Sequence, residues 1–235
     1  MHFKNIDIQL KDTVEATIEK DVFSWLETKI KSIVSEKSVK DLYLAYSVLG
    51  SKIPKSTTVK IDKTTAFSQY VILQNGNSQQ IARVYFLRKI LKADCGFFTP
   101  KVAKIIEVAD TSELETFLKF LILIPNPEQF KNTAVEALRT NISIVFNALA
   151  YNNPYPGEFF SDKQWNQMFL KTAFMQGDLN AILDIDKRAN KDLARIISDY
   201  AHERWAAGRT IDPHFWRPVP KYIDEALLEL SLIHI

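Results

Sequence analysis

Apolar residues recur three and four positions apart along most of the 235-residue chain, which is the spacing of amphipathic helices. The spacing predicts helices over 10–34, 38–51, 64–74, 78–92, 100–109, 112–124, 127–151, 162–176, 190–208 and 221–232. Residues 55–63 alternate weakly, but one short strand would have no neighbour to pair with, so this stretch reads as a loop. Helix starts are marked by a capping side chain before proline at Thr99-Pro100, Asn126-Pro127 and Asp212-Pro213. Capping-box spacing marks two more, Ser112 with Glu115 and Ser161 with Gln164. Gly50, Gly96, Gly177 and Gly208 mark ends.

Two predicted helices are apolar on more than one side. In 127–151, Phe130, Ala134, Leu138, Val145 and Leu149 form one stripe and Ile144 and Phe146 widen it, which predicts a central helix. In 162–176, Trp165, Met168, Phe169 and Thr172 face one way while Leu170 and Phe174 face nearly the other. Short connections and doubly buried helices point to an all-α fold, an irregular helical-repeat (HEAT/armadillo-like) array of antiparallel helix pairs. No clean sequence repeat is visible. A more charged N-terminal segment, 1–63, precedes a more apolar part, 64–235, continuous with it as one array.

Polar residues inside apolar stripes are the candidate chemistry. At about 100° per residue, Leu193, Ile196, Ile197, Tyr200 and Ala207 share a face, and Arg204 falls within it. A guanidinium held among hydrocarbon needs carboxylates or carbonyls. Asn141 sits likewise between Leu138 and Val145, so Asn141, Asp186 and Arg204 form an expected structural network. The rigid loop 152–157 offers Asn152, Asn153 and Tyr155 as a lip over a surface. Trp165, Asn166, Arg188, His202, Glu203 and Arg209 extend that expected binding surface. His202 beside Glu203 is the one candidate acid–base pair, with no nucleophile to accompany it. Zinc is not expected: its helical motif needs a second histidine where Ala206 stands. Arg83, Arg88, Lys89 and Lys92 read as an ordinary solvated face.

Composition narrows the class. A formal charge of +2 gives no field that argues for nucleic acid, and one cysteine, Cys95, excludes an intrachain disulfide. No apolar run reaches the length a bilayer demands, so no membrane insertion is expected, and the N-terminus lacks a secretory pattern. Together these predict a cytoplasmic protein.

The C-terminal half resembles the EboA proteins of bacteria in specific pieces. These are Asn153-Pro154-Tyr155-Pro156, Trp165-Asn166-Gln167-Met168 with Leu170-Lys171, Asp186 with Arg188-Ala189-Asn190, 200–209, and Trp216-Arg217. The resemblance covers roughly residues 114–228, and the first 63 residues look like a variable region. It implies a role in metabolite traffic within secondary metabolism. Family members are encoded beside a prenyltransferase, a hydrolase and sugar-enzyme-like proteins, but have no established reaction, and no cofactor is expected here. The expectation is a non-catalytic accessory protein with a protein partner from its own gene cluster and a small-molecule metabolite as cargo. The alternative is an enzyme or small-molecule-binding protein acting on a prenylated or glycosylated compound. After Arg217 the chain departs from the family ending, reading Pro218-Val219-Pro220.

Overall fold

Capping chemistry sets most helix starts in the computed structural model, which describes residues 3–222. In chain order the helices are α1 (Ile6–Thr17), α2 (Lys20–Glu36), α3 (Val39–Lys52), α4 (Ala66–Leu73), α5 (Ser78–Ala93), α6 (Cys95–Glu107) and α7 (Thr111–Phe120). They continue as α8 (Lys131–Ala137), α9 (Ser143–Ala150), α10 (Tyr155–Phe159), α11 (Asp162–Phe174), α12 (Ile185–Arg188) and α13 (Lys191–Ala206). Among the described residues there is no strand, so the fold is all-α. Ser161 and Gln164 form the expected capping box of α11, and Asn190 accepts from Leu193 N to cap α13.

Elsewhere the boundaries moved for local reasons. The box before α7 is Asp110 with Glu113, not Ser112 with Glu115. Asp94 caps α6 through Phe97 N, one turn ahead of the Thr99-Pro100 signal, so Pro100 lies inside the helix. The helix expected over 10–34 breaks at Ile18, which turns to extended backbone, while the Thr17 hydroxyl accepts from Lys60 N at 3.0 Å. The one expected over 127–151 splits into a 3₁₀ turn, α8 and α9. Thr140 takes the N–H of Ile142 with its hydroxyl at 3.0 Å, a local bond that competes with helix, and Asn141 is left exposed in the break. That helix is therefore not the central one. The helix expected over 221–232 lies outside the described residues apart from a 3₁₀ turn at Pro220–Tyr222.

The chain divides into two compact units, Met1–Leu149 and Ala150–Ile235. In the first, α5 is the axis: Ser78 to Leu87 are all buried, and α1, α2, α3, α6 and α7 pack on it. The segment 1–63 is thus integral to this unit through α1 and α2.

Burial of Arg83 and of most of Arg88 forces these two arginines of α5 to find partners, contrary to the solvated face expected of them, while Lys92 stays exposed. Arg88 donates from Nε to Asp7 Oδ1 at 2.7 Å, from its second terminal nitrogen to Oδ2 at 3.2 Å, and to the Leu123 carbonyl. Lys92 joins the same carboxylate at 2.8 Å. The hydrogen bond from Arg88 is the largest influence on Asp7 and, with Lys92, holds its pKa down at about 2 against partial burial. Arg83 is 3% exposed and lies 3.5 Å from Glu113, with its guanidinium over the Tyr46 ring.

Candidate functional site

The second unit carries nearly all the residues selected from sequence, and its tightest polar centre is Arg188. This side chain ends α12, a short helix entered through Asp184 in the left-handed conformation. Its guanidinium donates to the carbonyls of Gly157 and Phe160 and to Asp162 Oδ1, each at 2.9 Å. The side chain is 13% exposed and lies over the Trp165 ring, 5.9 Å from guanidinium to centroid. One arginine therefore ties the end of α12 to α10, to the turn after it and to the start of α11.

A second tie lies alongside. Asn166 and Asn190 exchange amide hydrogen bonds at 3.1 and 2.8 Å, and Asn190 also donates to the Arg188 carbonyl while capping α13. Trp165 is fully buried and stacks on Phe169 at 5.6 Å, so neither it nor Asn166, at 6% exposure, displays a surface.

The loop 152–157 is also interior. Tyr155 is fully buried with its ring against Phe159 and Phe160, and Asn153 is 2% exposed and accepts from Tyr155 N. Asn152 adopts the left-handed conformation and donates its N–H to the Ala181 carbonyl at 2.6 Å. The expected lip is a packed corner, because two prolines and a large aromatic gain more from burial than from water. Beside it, the Tyr151 hydroxyl accepts from Asp178 N, and burial raises the phenol's pKa.

The expected network of Asn141, Asp186 and Arg204 is not built. Asn141 is exposed, and Asp186, 65% exposed, pairs with Arg217 at 2.6 Å. Arg204 is half-buried, donates to the Thr210 carbonyl at 2.9 Å and lies over the Tyr200 ring. The physical reason is that the buried stripe of α13 runs through Leu193, Ala194, Ile197, Ser198 and Ala201 and stops there, so Tyr200 lies at its edge and Arg204 lies past its last buried member. The anchoring role that sequence assigned to Arg204 belongs to Arg188.

The end of α13 displays what remains. Glu203 and Arg209 are exposed, and Gly208 turns the chain with φ 67°. His202 is half-buried, its Nε2 meets no partner among the described residues, and its ring stacks near Trp205 at 6.1 Å. Trp205 in turn stacks on Trp216 at 5.5 Å.

A pocket of about 400 Å³ opens beside this end, lined among others by Phe174, Tyr200, Phe215, Arg204, Gln176 and Asp212. Its size falls within the range of small-molecule sites. Rings continue inward from it: Phe174 and Tyr200 at 4.8 Å, Tyr200 and Phe215 at 5.4 Å, Phe215 and Phe169 at 5.9 Å. His202, Glu203 and Tyr155 do not line it. Sequence reasoning missed Phe215 and Asp212. It had one usable signal for Phe174, whose position opposite Trp165 on α11 called for a second aromatic cluster.

The decisive comparison is with protein families, where the model for metabolite traffic protein EboA matches residues 6–220. The chain belongs to the EboA family. The match takes in the N-terminal helices as well as the second unit, and so reaches well beyond the pieces that carry the resemblance in sequence. No curated protein and no solved structure matches the chain. No helix among the described residues is long and apolar enough to cross a membrane.

Proposed function

We propose that this EboA-family chain is a non-catalytic accessory protein of a cytoplasmic metabolite-processing or export system, and that it recognises a partner protein through the end of α13. The observation that carries this reading is the His202–Trp205–Trp216 stack, partly exposed and flanked in sequence by exposed Glu203 and Arg209. Tryptophan and arginine beside a charged rim are the residues that dominate protein interfaces. Arg188 and the Asn166–Asn190 pair support it differently: they fix α10 to α13, so the surface is presented in one shape.

Affinity capture of the tagged chain from its host, with mass spectrometry of proteins and small molecules, tests the reading. Recovery of a protein encoded beside it, lost with the exposed-site variant Glu203→Lys, is the expected result. Equal recovery with Glu203→Lys refutes the assigned surface. The other class of function places His202 and Glu203 as an acid–base pair acting on a prenylated or glycosylated compound. Turnover of such a compound that is abolished by His202→Gln replaces the adaptor reading.

A further inference from the structure

We propose that the pocket beside α13 binds a planar aromatic carboxylate that also carries a hydrogen-bond donor. The inference concerns a pocket that His202 and Glu203 do not line, and it stands apart from the protein-partner reading.

Four features of the pocket carry it. Phe174 is 52% exposed although it packs against Tyr200, so a large aromatic face stands in water at the mouth. Such a face favours offset or edge-on contact with another flat ring. Arg204 is permanently charged and has five N–H groups, yet among the described residues its guanidinium makes one hydrogen bond, to Thr210 O, and no ion pair. The remaining fork has the geometry to take a carboxylate through two parallel bonds. The Tyr200 ring supports that guanidinium from one side, at 6.0 Å, which limits its wandering.

Asp212 sets the last requirement. It lines the same pocket, and its Oδ1 accepts from His214 N at 2.8 Å, which fixes the carboxylate as the start of a 3₁₀ turn. The other oxygen is an acceptor for a hydroxyl or amine. A plain dianion would be repelled by Asp212 and a cation by Arg204, whereas a flat acid with one donor satisfies both.

Fluorescence titration of the purified full chain with hydroxynaphthoate tests this, with naphthol and cyclohexanecarboxylate as probes lacking the acid and the flat ring. Saturable binding of hydroxynaphthoate is expected, weaker by about tenfold or more for naphthol, as loss of a charge-assisted pair implies, and weaker for cyclohexanecarboxylate, which keeps the acid but lacks the flat ring and the donor. Arg204→Gln is expected to weaken it to a similar degree. Phe174→Ala, at a position exposed enough to leave folding intact, is expected to weaken it by about threefold or more. Naphthol binding as tightly as hydroxynaphthoate, unchanged binding by Arg204→Gln in a chain with wild-type melting, or no saturation at millimolar probe overturns the assignment.

Discussion

Replacing Arg188 by leucine should be among the most damaging single changes in the second unit. The substitution removes three hydrogen bonds of 2.9 Å and leaves the carbonyls of two buried residues, Gly157 and Phe160, with one partner fewer. Each buried acceptor stripped of a charged donor costs about 1–3 kcal/mol. The Asp162 carboxylate is 70% exposed and is rehydrated at little cost, so it adds only about 0.5 kcal/mol. Leucine recovers some contact with the Trp165 ring, which offsets about 1 kcal/mol. The sum is about 3 kcal/mol, or a drop in melting temperature on the order of 10–20 °C for a unit of this size. Urea denaturation followed by tryptophan fluorescence reads it, because Trp165 is buried beneath the guanidinium. Arg188→Lys keeps the charge but not the fork and should recover less than half of the loss. A leucine variant within about 0.5 kcal/mol of wild type would refute the tie.

Other substitutions separate the roles of neighbouring groups. Arg204→Leu loses one bond to the exposed Thr210, whose carbonyl water can satisfy, so urea denaturation should show a change within about 1 kcal/mol; a loss of about 3 kcal/mol would return the anchoring role to it. His202→Phe removes a ring nitrogen that meets no partner among the described residues, so thermal melting should be unchanged or slightly higher, and a marked fall would reveal a bond to that nitrogen. The depressed pKa of Asp7 contributes stability that is present above about pH 4, the ordinary carboxylate value, and is lost as pH falls towards about 2. With the carboxylate partly exposed, screening reduces this to about 1 kcal/mol, measurable as an acid-limb slope in urea midpoints that Asp7→Asn abolishes.

Helix content was legible because periodicity and capping are local: Ser161 with Gln164, and Asn190 before α13, act as their spacing implies. The central helix was not. Which helix becomes the axis depends on partners distant in sequence, and α5 takes that place because Asp7, Glu113 and the Leu123 carbonyl meet its arginines. The candidate surface failed in the same way. Trp165, Asn166, Tyr155 and Arg188 look recognitional in a linear reading, but Arg188 meets Gly157, Phe160 and the Trp165 ring, and Asn166 meets Asn190, from 23 to 31 positions away. A helical wheel gives the angle of Arg204 but not where burial ends along the axis, and the buried stripe stops at Ala201, before Arg204. Small residues Ala194, Ser198 and Ala201 widen that stripe away from Tyr200, and a hydrophobicity pattern underweights them. Glu203 is exposed and His202 half-buried because burial in α13 ends at Ala201, and Arg209 is exposed in the turn that follows the helix.

In the function proposed, the second unit is a braced scaffold that works through the end of α13. Hydrogen exchange on the full chain, alone and bound to the protein captured with it, checks this. Slowed exchange confined to residues 202–217 is expected, with the amides of Glu158 and Phe160, which donate to the Pro154 and Pro156 carbonyls, already protected in the free chain. Slowing centred on α1 to α5, with 202–217 unchanged, would contradict it.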